Sequence, residues 1–354
     1  MIPSVSRETL RGTWGTVLLP IADADRIDLA AIAAQLDVLT TSGLDGIYSN
    51  GTAGEFFTQD EDEFDAVAQL LADACQAAGL ACQIGASHPS AQVCRARIER
   101  AARLRPSAIQ VILPDWLPLS WPEVLDAVAG FERAADGIPL VLYNPPHAKT
   151  RLTPGQLGEL GREFPGLIGV KVAGGDAGWC RRARSEVGDL ALFVAGHTLA
   201  TGRANGADGA YSNVACLSPP GAVRWGALMA ADSAAALALE GRIQAFLDTH
   251  VLPWQREGLG NAALDKGLAR RPVGTDQHAG ALALRVDAGG GGRTARRHRT
   301  HGTARAVRAP YLTAPLVSPR ISPRWMNTAR MRTGSTTSRL PAAIAPQSED
   351  SIPT

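Results

Sequence analysis

The chain has 354 residues, of which 45% are hydrophobic and 19% charged, and its formal net charge is +1. These totals are typical of a globular protein with one large domain or two ordinary ones. The sequence contains no run of eighteen apolar residues and no apolar signal core near the N-terminus. Neither a membrane span nor a secretory signal is therefore expected.

The cysteines are scattered and odd in number. They form no CxxC pair and show no metal-ligand spacing, which disfavours a disulfide framework and a metal site. This pattern suits a reducing compartment, so we expect a cytoplasmic protein. The five residues are Cys75, Cys82, Cys94, Cys180 and Cys216.

The overall charge hides two unlike parts. Residues 1–270 hold 22 basic and 30 acidic residues, whereas residues 271–354 hold 13 arginines, no lysine and 4 acids. The second part contains a glycine run and many Pro, Ser and Thr residues, a composition that predicts disorder. It is either a natural extension or the product of a reading-frame slip, and we favour the slip. A basic tail could bind nucleic acid nonspecifically, but its few aromatics (Tyr311 and Trp325) make that role a minor alternative.

From Trp14 onwards, short strand-like apolar runs alternate with helical patterns. Asp28 is a predicted N-cap, Thr58 with Glu61 a predicted capping box, and Pro154 opens a later helix. Beyond the last strand, residues 219–249 and 261–270 have helical composition. The eight predicted strands are residues 14–19, 44–49, 81–86, 107–113, 138–143, 167–171, 190–195 and 209–212.

Eight βα units over about 200 residues predict a (β/α)8 TIM barrel. Most of the runs are apolar on both faces, as parallel strands buried between two layers should be. An open doubly wound sheet is the alternative, but no GxGxxG motif opens any helix, so the dinucleotide-binding form lacks its fingerprint. We therefore predict a barrel over residues 10–215, a C-terminal helical extension over 216–270, and the tail over 271–354.

Lys171 lies inside the apolar run Ile168–Gly175, where a lysine is unexpected. The chain has only three lysines against thirty-two arginines, so arginine would have been the ordinary source of positive charge. A desolvated lysine can lose its proton and attack a carbonyl, whereas arginine cannot. The position therefore predicts a Schiff-base lysine. The alternative is a strand-end lysine whose amine simply reaches water.

Two further candidates fall at the same end of the predicted barrel. Tyr143 ends the fifth strand and could transfer protons, while Thr52 lies in the glycine-flanked loop after the second strand. That loop could offer backbone N–H groups to a carboxylate. Each feature alone has an ordinary explanation, a core tyrosine or a tight turn. Their agreement at one rim with Lys171 favours chemistry on a 2-keto acid.

Four motifs resemble those of the dihydrodipicolinate synthase / N-acetylneuraminate lyase family, and they occur in the same order and at the same spacing over residues 10–265. The resemblance implies a (β/α)8 barrel with extra C-terminal helices, a tetramer of two tight dimers, and class I chemistry without metal or organic cofactor. The motifs are Gly51–Glu55, the Tyr143-Asn144-x-Pro146 segment, Gly169–Lys171 and the glycine-containing segment 206–210.

The same resemblance implies the roles of individual residues. Lys171 would form the Schiff base and Tyr143 would transfer the proton. Thr52 and the Ala53 N–H, within the loop that begins at Gly51, would hold the keto-acid carboxylate. From the seventh and eighth strands, Gly196 and Tyr211 would line the pocket.

Departures from the family pattern concern the second substrate. The synthases carry a second threonine where this chain has Ala53, and a relay tyrosine where it has Trp116, whose indole cannot relay a proton. They also place an arginine for the second substrate's carboxylate where Ala148 stands. The sugar-binding pattern of sialic acid lyases is replaced by the segment around His197. Trp116 is therefore a pocket-lining candidate, and the specificity candidates are Asp115, His147, Lys149 and His197.

The sequence thus predicts a lyase that acts on 2-keto acids through Lys171, with pyruvate-dependent aldol cleavage or condensation as the leading reaction. A dehydratase or deaminase of keto-acid sugars from the same family is an alternative, and dihydrodipicolinate synthase activity is not favoured. A non-catalytic relative that binds a keto acid is the alternative from another class. The physiological substrate stays open, because the residues that would identify it depart from both subgroups.

Overall fold

The computed structural model of the chain describes residues 1–22 and 26–269, so the predicted tail lies outside the described residues. Eight parallel strands follow one another around a closed barrel, each hydrogen-bonded to the next and the last to the first. The predicted (β/α)8 barrel is confirmed. The strands are β1 (Gly12–Thr16), β2 (Gly46–Ser49), β3 (Ala81–Gly85), β4 (Ala108–Val111), β5 (Leu140–Asn144), β6 (Leu167–Val172), β7 (Ala191–Ala195) and β8 (Gly209–Tyr211).

Helices cover the outside of this barrel and extend beyond it. A short 3-10 turn, Gly196–Thr198, follows β7. The helices are α1 (Leu29–Thr40), α2 (Glu61–Ala78), α3 (Ala91–Arg103), α4 (Trp121–Ala135), α5 (Pro154–Glu163), α6 (Ala177–Val187), α7 (Leu199–Ala204), α8 (Asn213–Leu217), α9 (Pro219–Ala231), α10 (Ser233–His250), α11 (Leu252–Arg256) and α12 (Asn261–Ala269).

The strands are apolar on both faces because they separate two cores. The larger core lies between the sheet and the helices and contains aliphatic side chains such as Ile47, Val170 and Leu192. The smaller core fills the barrel interior, where Trp14, Tyr48, Phe193 and Tyr211 are all buried. Burial of these large rings supplies much of the apolar driving force for closing the barrel.

Helix starts agree with the sequence at most positions. Asp28 caps α1 by accepting a hydrogen bond from the Ala31 N–H at 2.9 Å, and Pro154 opens α5 as predicted. The capping box predicted for α2, Thr58 with Glu61, was wrong. Asp60 and Glu63 form the capping box of that helix instead.

Glu61 and Thr58 do not form a capping box because both side chains have other hydrogen-bond partners. The Glu61 carboxylate accepts hydrogen bonds from Arg97 and Arg100 of α3, while the Thr58 hydroxyl donates to the Glu55 carbonyl at 2.9 Å. Glu61 is therefore used to join α2 to α3 rather than to cap its own helix.

The C-terminal extension consists of separate short helices. The predicted helical region 219–249 divides at Asp232, whose carboxylate accepts from the Ala235 N–H and caps α10. The Trp225 indole donates to the Ala236 carbonyl at 3.1 Å and joins α9 to α10. In residues 1–22 and 26–269, no helix is long and apolar enough to cross a membrane.

Candidate active site

Neighbouring strands bring Lys171 and Tyr143 together at the C-terminal rim of the barrel. Tyr143 of β5 is the register partner of Lys171 on β6, and Lys171 is in turn paired with Phe193 on β7. Side chains of paired residues in adjacent parallel strands point to the same face of the sheet. Both side chains therefore lie on the same face of the sheet, at the rim where the sequence predicted both residues.

The amine of Lys171 is surrounded by phenol rings. Its Nζ lies 4.3 Å from the ring centroid of Tyr143, 4.9 Å from that of Tyr48 and 5.2 Å from that of Tyr211. Loss of bulk water around this amine lowers the pKa of Lys171 below the usual 10.5, although Tyr143 and Asp265 oppose the shift. The site thus favours the neutral amine, which is the nucleophilic form.

Tyr48 is the residue of this cluster that the sequence did not single out. Its phenol oxygen accepts a hydrogen bond of 3.1 Å from Lys171 Nζ. Burial raises the pKa of Tyr48, and a hydrogen bond with the Thr16 side chain opposes that shift. The phenol therefore stays protonated around neutral pH and acts as a fixed dipole beside the amine.

Three hydrogen-bonded polar side chains, Tyr211, Gln83 and Gln110, lie inside the barrel near Lys171. The Tyr211 hydroxyl donates to Gln83 Oε1 at 2.8 Å, and Gln83 Nε2 donates in turn to Gln110 Oε1 at 3.4 Å. Burial also raises the pKa of Tyr211. The ring of Tyr211 packs against that of Tyr48 with centroids 4.6 Å apart. The hydrogen bond to Gln83 and this ring contact therefore hold both phenols beside the amine.

Tyr143 is held by packing and by the loop after β5. It is only 9% exposed and forms a small apolar cluster with Phe56 and Ile112. The next residue, Asn144, fixes the loop through two hydrogen bonds with the Leu152 backbone, at 2.8 and 3.1 Å. Phe56 belongs to the segment after β2. Tyr143 therefore connects the end of β5 with the segment that follows the Thr52 loop.

The loop that carries Thr52 adjoins the lysine through Tyr48. A Cβ added at Gly51 would lie 2.5 Å from the Tyr48 phenol oxygen, so only glycine permits this close approach. Two loop residues, Asn50 and Glu55, adopt positive φ angles of 54° and 48°. The tight turn closes with hydrogen bonds such as Glu55 N–H to the Thr52 carbonyl at 3.1 Å.

Arg97 anchors the segment that follows this loop. The side chain is 1% exposed and donates to the carbonyls of Phe56 at 3.0 Å, Ser87 at 3.3 Å and Gln59 at 2.9 Å. Its Nε also donates to Glu61 at 2.9 Å. A guanidinium has enough donors to satisfy several buried carbonyls at once, so Arg97 stabilises the backbone that positions Phe56.

The rim at β7 and β8 brings Gly196 and His197 next to Asn213. A Cβ at Gly196 would lie 2.7 Å from Ser212 Cα, which explains the glycine. Asn213 Nδ2 lies 3.1 Å from His197 Nδ1, and burial lowers the pKa of His197, so the neutral ring is favoured. Asn213 Oδ1 is buried and has no hydrogen-bond partner within the described residues.

Other predicted specificity residues form a group on the β4 and β5 loops. Lys149 Nζ donates to the Trp116 carbonyl at 2.7 Å and lies 4.9 Å from the Trp116 ring, while the Lys149 N–H donates to Asp115 at 2.8 Å. Trp116 is 77% exposed, and His147 is exposed as well. Lys149 thus joins Asp115 and Trp116 in one group, and the role of all four residues in specificity stays a prediction.

The last described helix, α12, reaches the same rim. Lys266 forms an ion pair with Glu55 of the Thr52 loop, and the adjacent Asp265 carboxyl interacts electrostatically with Lys171. The sequence predicted a short helix here but no function for it. No group of three or more potential metal ligands occurs in the described part of the chain.

A closed parallel barrel with an amine among phenols at the end of β6 provides the nucleophile and the proton-donating groups that a class I, Schiff-base aldolase or lyase requires. The sequence profile of the Dihydrodipicolinate synthetase family matches residues 9–272. The chain therefore belongs to the dihydrodipicolinate synthetase family, and it is a lyase of the 2-keto-acid type found there.

Known relatives agree with this assignment. The chain is 30% identical over 297 residues to the N-acetylneuraminate lyase of Rhizobium meliloti strain 1021, covering 78% of this chain and 93% of the relative. An Escherichia coli N-acetylneuraminate lyase is 30% identical over 206 residues, covering 56% of this chain and 67% of the relative.

Solved structures show the same fold. YagE, an Escherichia coli K12 prophage protein of the dihydrodipicolinic acid synthase family in complex with pyruvate, superposes with a TM-score of 0.66 at 20% identity, covering 73% of this chain and 87% of its own. The Ruminococcus gnavus sialic acid aldolase gives a TM-score of 0.63 at 18% identity, covering 68% and 80% respectively.

Proposed function

We propose that Lys171 attacks the carbonyl of a 2-keto acid, pyruvate being the common product or substrate, and that the enzyme breaks or forms the adjacent carbon–carbon bond. The observation that carries this proposal is the position of the Lys171 amine, at the strand end, among three phenols, with its pKa lowered by burial. The relatives named as N-acetylneuraminate lyases support the same chemistry.

The first half of the reaction builds the Schiff base. The neutral amine adds to the keto carbon, and a proton must reach the carbonyl oxygen so that it can leave as water. Tyr143 is the nearest ring to Lys171 Nζ, at 4.3 Å to its centroid, and its phenol is the proposed proton donor. Tyr48 holds the amine in place through the 3.1 Å hydrogen bond.

In the cleavage direction, the iminium then accepts the electron pair of the breaking bond. A base removes the proton of the hydroxyl on the departing carbon, that carbon leaves as an aldehyde, and the remaining fragment becomes an enamine. The enamine takes a proton on carbon, and water hydrolyses the imine to release pyruvate and the free amine. Condensation is the same sequence reversed.

The carboxylate of the keto acid is assigned to the loop beside Tyr48. Its contacts would be the Thr52 hydroxyl and the Ala53 N–H, in a turn whose close approach to Tyr48 depends on Gly51. A tight loop of this kind directs N–H groups at an anion. We expect the protein to work as a cytoplasmic dimer or tetramer, as the family resemblance implies.

The test is reductive trapping. Wild-type protein is incubated with pyruvate and borohydride, and the adduct is located by mass spectrometry of the intact chain and of its peptides. We expect one adduct at Lys171, absent from Lys171→Met and from Lys171→Arg, because the guanidinium stays protonated. An adduct that persists in either variant, or none in the wild type, would overturn the proposal.

Turnover separates the lyase from a keto-acid-binding relative. A lyase consumes pyruvate in the presence of an aldehyde, or releases it from an aldol product, in a coupled assay. Stabilisation by pyruvate in a melting experiment without any turnover would favour the binding protein instead.

A further inference from the structure

Helix α12 connects two parts of the barrel rim. It packs on α8, which directly follows β8, and its Lys266 forms a salt bridge with Glu55 in the segment after β2. Strand β1 lies between β8 and β2 in the barrel. The helix therefore joins the segment after β8 to the segment after β2.

Glu55 is the last residue of the turn Gly51–Glu55, and its backbone closes that turn. Its N–H donates to the Thr52 carbonyl at 3.1 Å, and its own carbonyl accepts from the N–H and the hydroxyl of Thr58, both at 2.9 Å. The φ angle of Glu55 is 48°, a left-handed conformation that costs free energy in a residue with a Cβ. Such a conformation persists where the surrounding contacts fix it.

The side chain of Glu55 is held from outside the turn. It is 4% exposed, and its salt-bridge partner Lys266, itself 18% exposed, lies 211 positions further along the chain. Removing one member of a buried ion pair leaves an uncompensated charge, which is strongly destabilising. Without Lys266, the Glu55 carboxylate would therefore move toward water and displace the backbone of the turn.

We propose that Lys266 is a positioning residue for the keto acid. Its ion pair with Glu55 holds the turn Gly51–Glu55 in one form. In that form the Thr52 hydroxyl and the Ala53 N–H face the substrate carboxylate. The inference rests on the proposed function and adds a residue of α12 that acts through the turn and not through a contact with the substrate.

The charge of Lys266 does not itself attract the substrate in this scheme. Its ammonium donates to the Glu55 carboxylate, so the fields of the two charges largely cancel at the substrate. Donors that are fixed before binding reduce the entropy lost when a ligand is bound. A fixed turn therefore binds a carboxylate more tightly than a mobile turn with the same donors.

The first test compares pyruvate with methyl pyruvate, which keeps the keto group and lacks the carboxylate. Trapping with cyanoborohydride over a range of concentrations gives a half-saturating concentration and a limiting rate for each compound. We expect Lys266→Met to raise the half-saturating concentration of pyruvate about tenfold or more. The limiting rate and both values for methyl pyruvate should change little. Lys266→Arg, which keeps the charge, should retain most of the affinity for pyruvate.

Glu55→Gln distinguishes positioning from direct attraction. The substitution breaks the ion pair and frees the Lys266 charge, so a lysine that attracts the anion would bind pyruvate more tightly in this variant. Positioning predicts weaker binding instead. Combining Glu55→Gln with Lys266→Met removes both charges. This double variant should bind pyruvate better than Lys266→Met alone, because no buried charge is left unpaired.

The matched controls are exposed substitutions of the same two kinds, Arg256→Met on α11 and Glu159→Gln on α5. Both should keep the wild-type values for pyruvate and for methyl pyruvate. Melting curves check that every variant is folded. Should Lys266→Met not fold, Glu55→Gln decides, because it breaks the same ion pair and keeps the size of the side chain.

The wild type separates failure of the proposed function from failure of this inference. A wild type that forms no adduct with pyruvate refutes the proposed function. A wild type that traps pyruvate, with an unchanged half-saturating concentration in folded Lys266→Met, refutes the inference alone. Equal losses for pyruvate and methyl pyruvate, or tighter pyruvate binding in Glu55→Gln, also overturn it.

Discussion

The amine of Lys171 donates a hydrogen bond of 3.1 Å to the phenol oxygen of Tyr48, across the barrel from β6 to β2. The two residues are 123 positions apart in the chain. Tyr48 in turn packs against Gly51 of the carboxylate loop, so one phenol joins the nucleophile to the proposed anion site. In the proposed reaction, this contact would orient the amine toward the keto acid that the loop would hold.

Replacing Tyr48 with Phe should slow Schiff-base formation without abolishing it. The change removes one hydrogen bond to an amine that becomes charged, and such bonds contribute about 1.5–3 kcal/mol, or about tenfold to a hundredfold in rate. The ring and its packing remain. The measurement is the initial rate of borohydride trapping with saturating pyruvate. A wild-type rate in Tyr48→Phe would show that the hydrogen bond does not orient the amine.

Replacing Tyr143 with Phe should affect turnover more than Tyr48→Phe does. Proton transfer by a positioned group accelerates a reaction by about 10²–10⁴-fold, and Tyr143 is the proposed proton donor for Schiff-base formation. We expect kcat for aldol cleavage to fall within that range while KM for the aldol substrate changes little. Equal losses in Tyr48→Phe and Tyr143→Phe would argue against separate roles.

The lowered pKa of Lys171 should appear in the pH dependence of trapping. Burial disfavours the charged amine, so the neutral fraction near pH 8 exceeds that of an ordinary lysine. The rate of adduct formation should therefore rise with pH to a midpoint below 10.5. Cyanoborohydride allows the series to extend toward neutral pH. A midpoint at or above 10.5 would mean that the amine is not desolvated in the free enzyme.

The sequence was sufficient for features that depend on local pattern. Alternating apolar runs and helical faces predicted the barrel, and the strand-end positions of Lys171 and Tyr143 were enough to place them at one rim. No further information is needed to place them together, because the C-terminal ends of all strands in a parallel barrel lie at the same rim.

Features that depend on packing between distant segments were not predictable. The run that contains Tyr48 has the same apolar pattern whether its phenol points into the barrel or out of it. Lys266 lies in a short helix that meets Glu55 of the rim loop only after the C-terminal extension folds back on the barrel. The capping box of α2 was misplaced because Glu61 has partners on α3 that no local pattern reveals.

Replacing Arg97 with Met should destabilise the fold and disturb the loop before α2. The change leaves the buried carbonyls of Phe56 and Gln59 without their donor, and an unpaired buried acceptor costs about 1–3 kcal/mol. Urea unfolding should show a loss of that size, and KM for pyruvate should rise. Arg103→Met, an exposed change on the same helix, is the control. Equal stability of the two variants would mean that water replaces the guanidinium without loss.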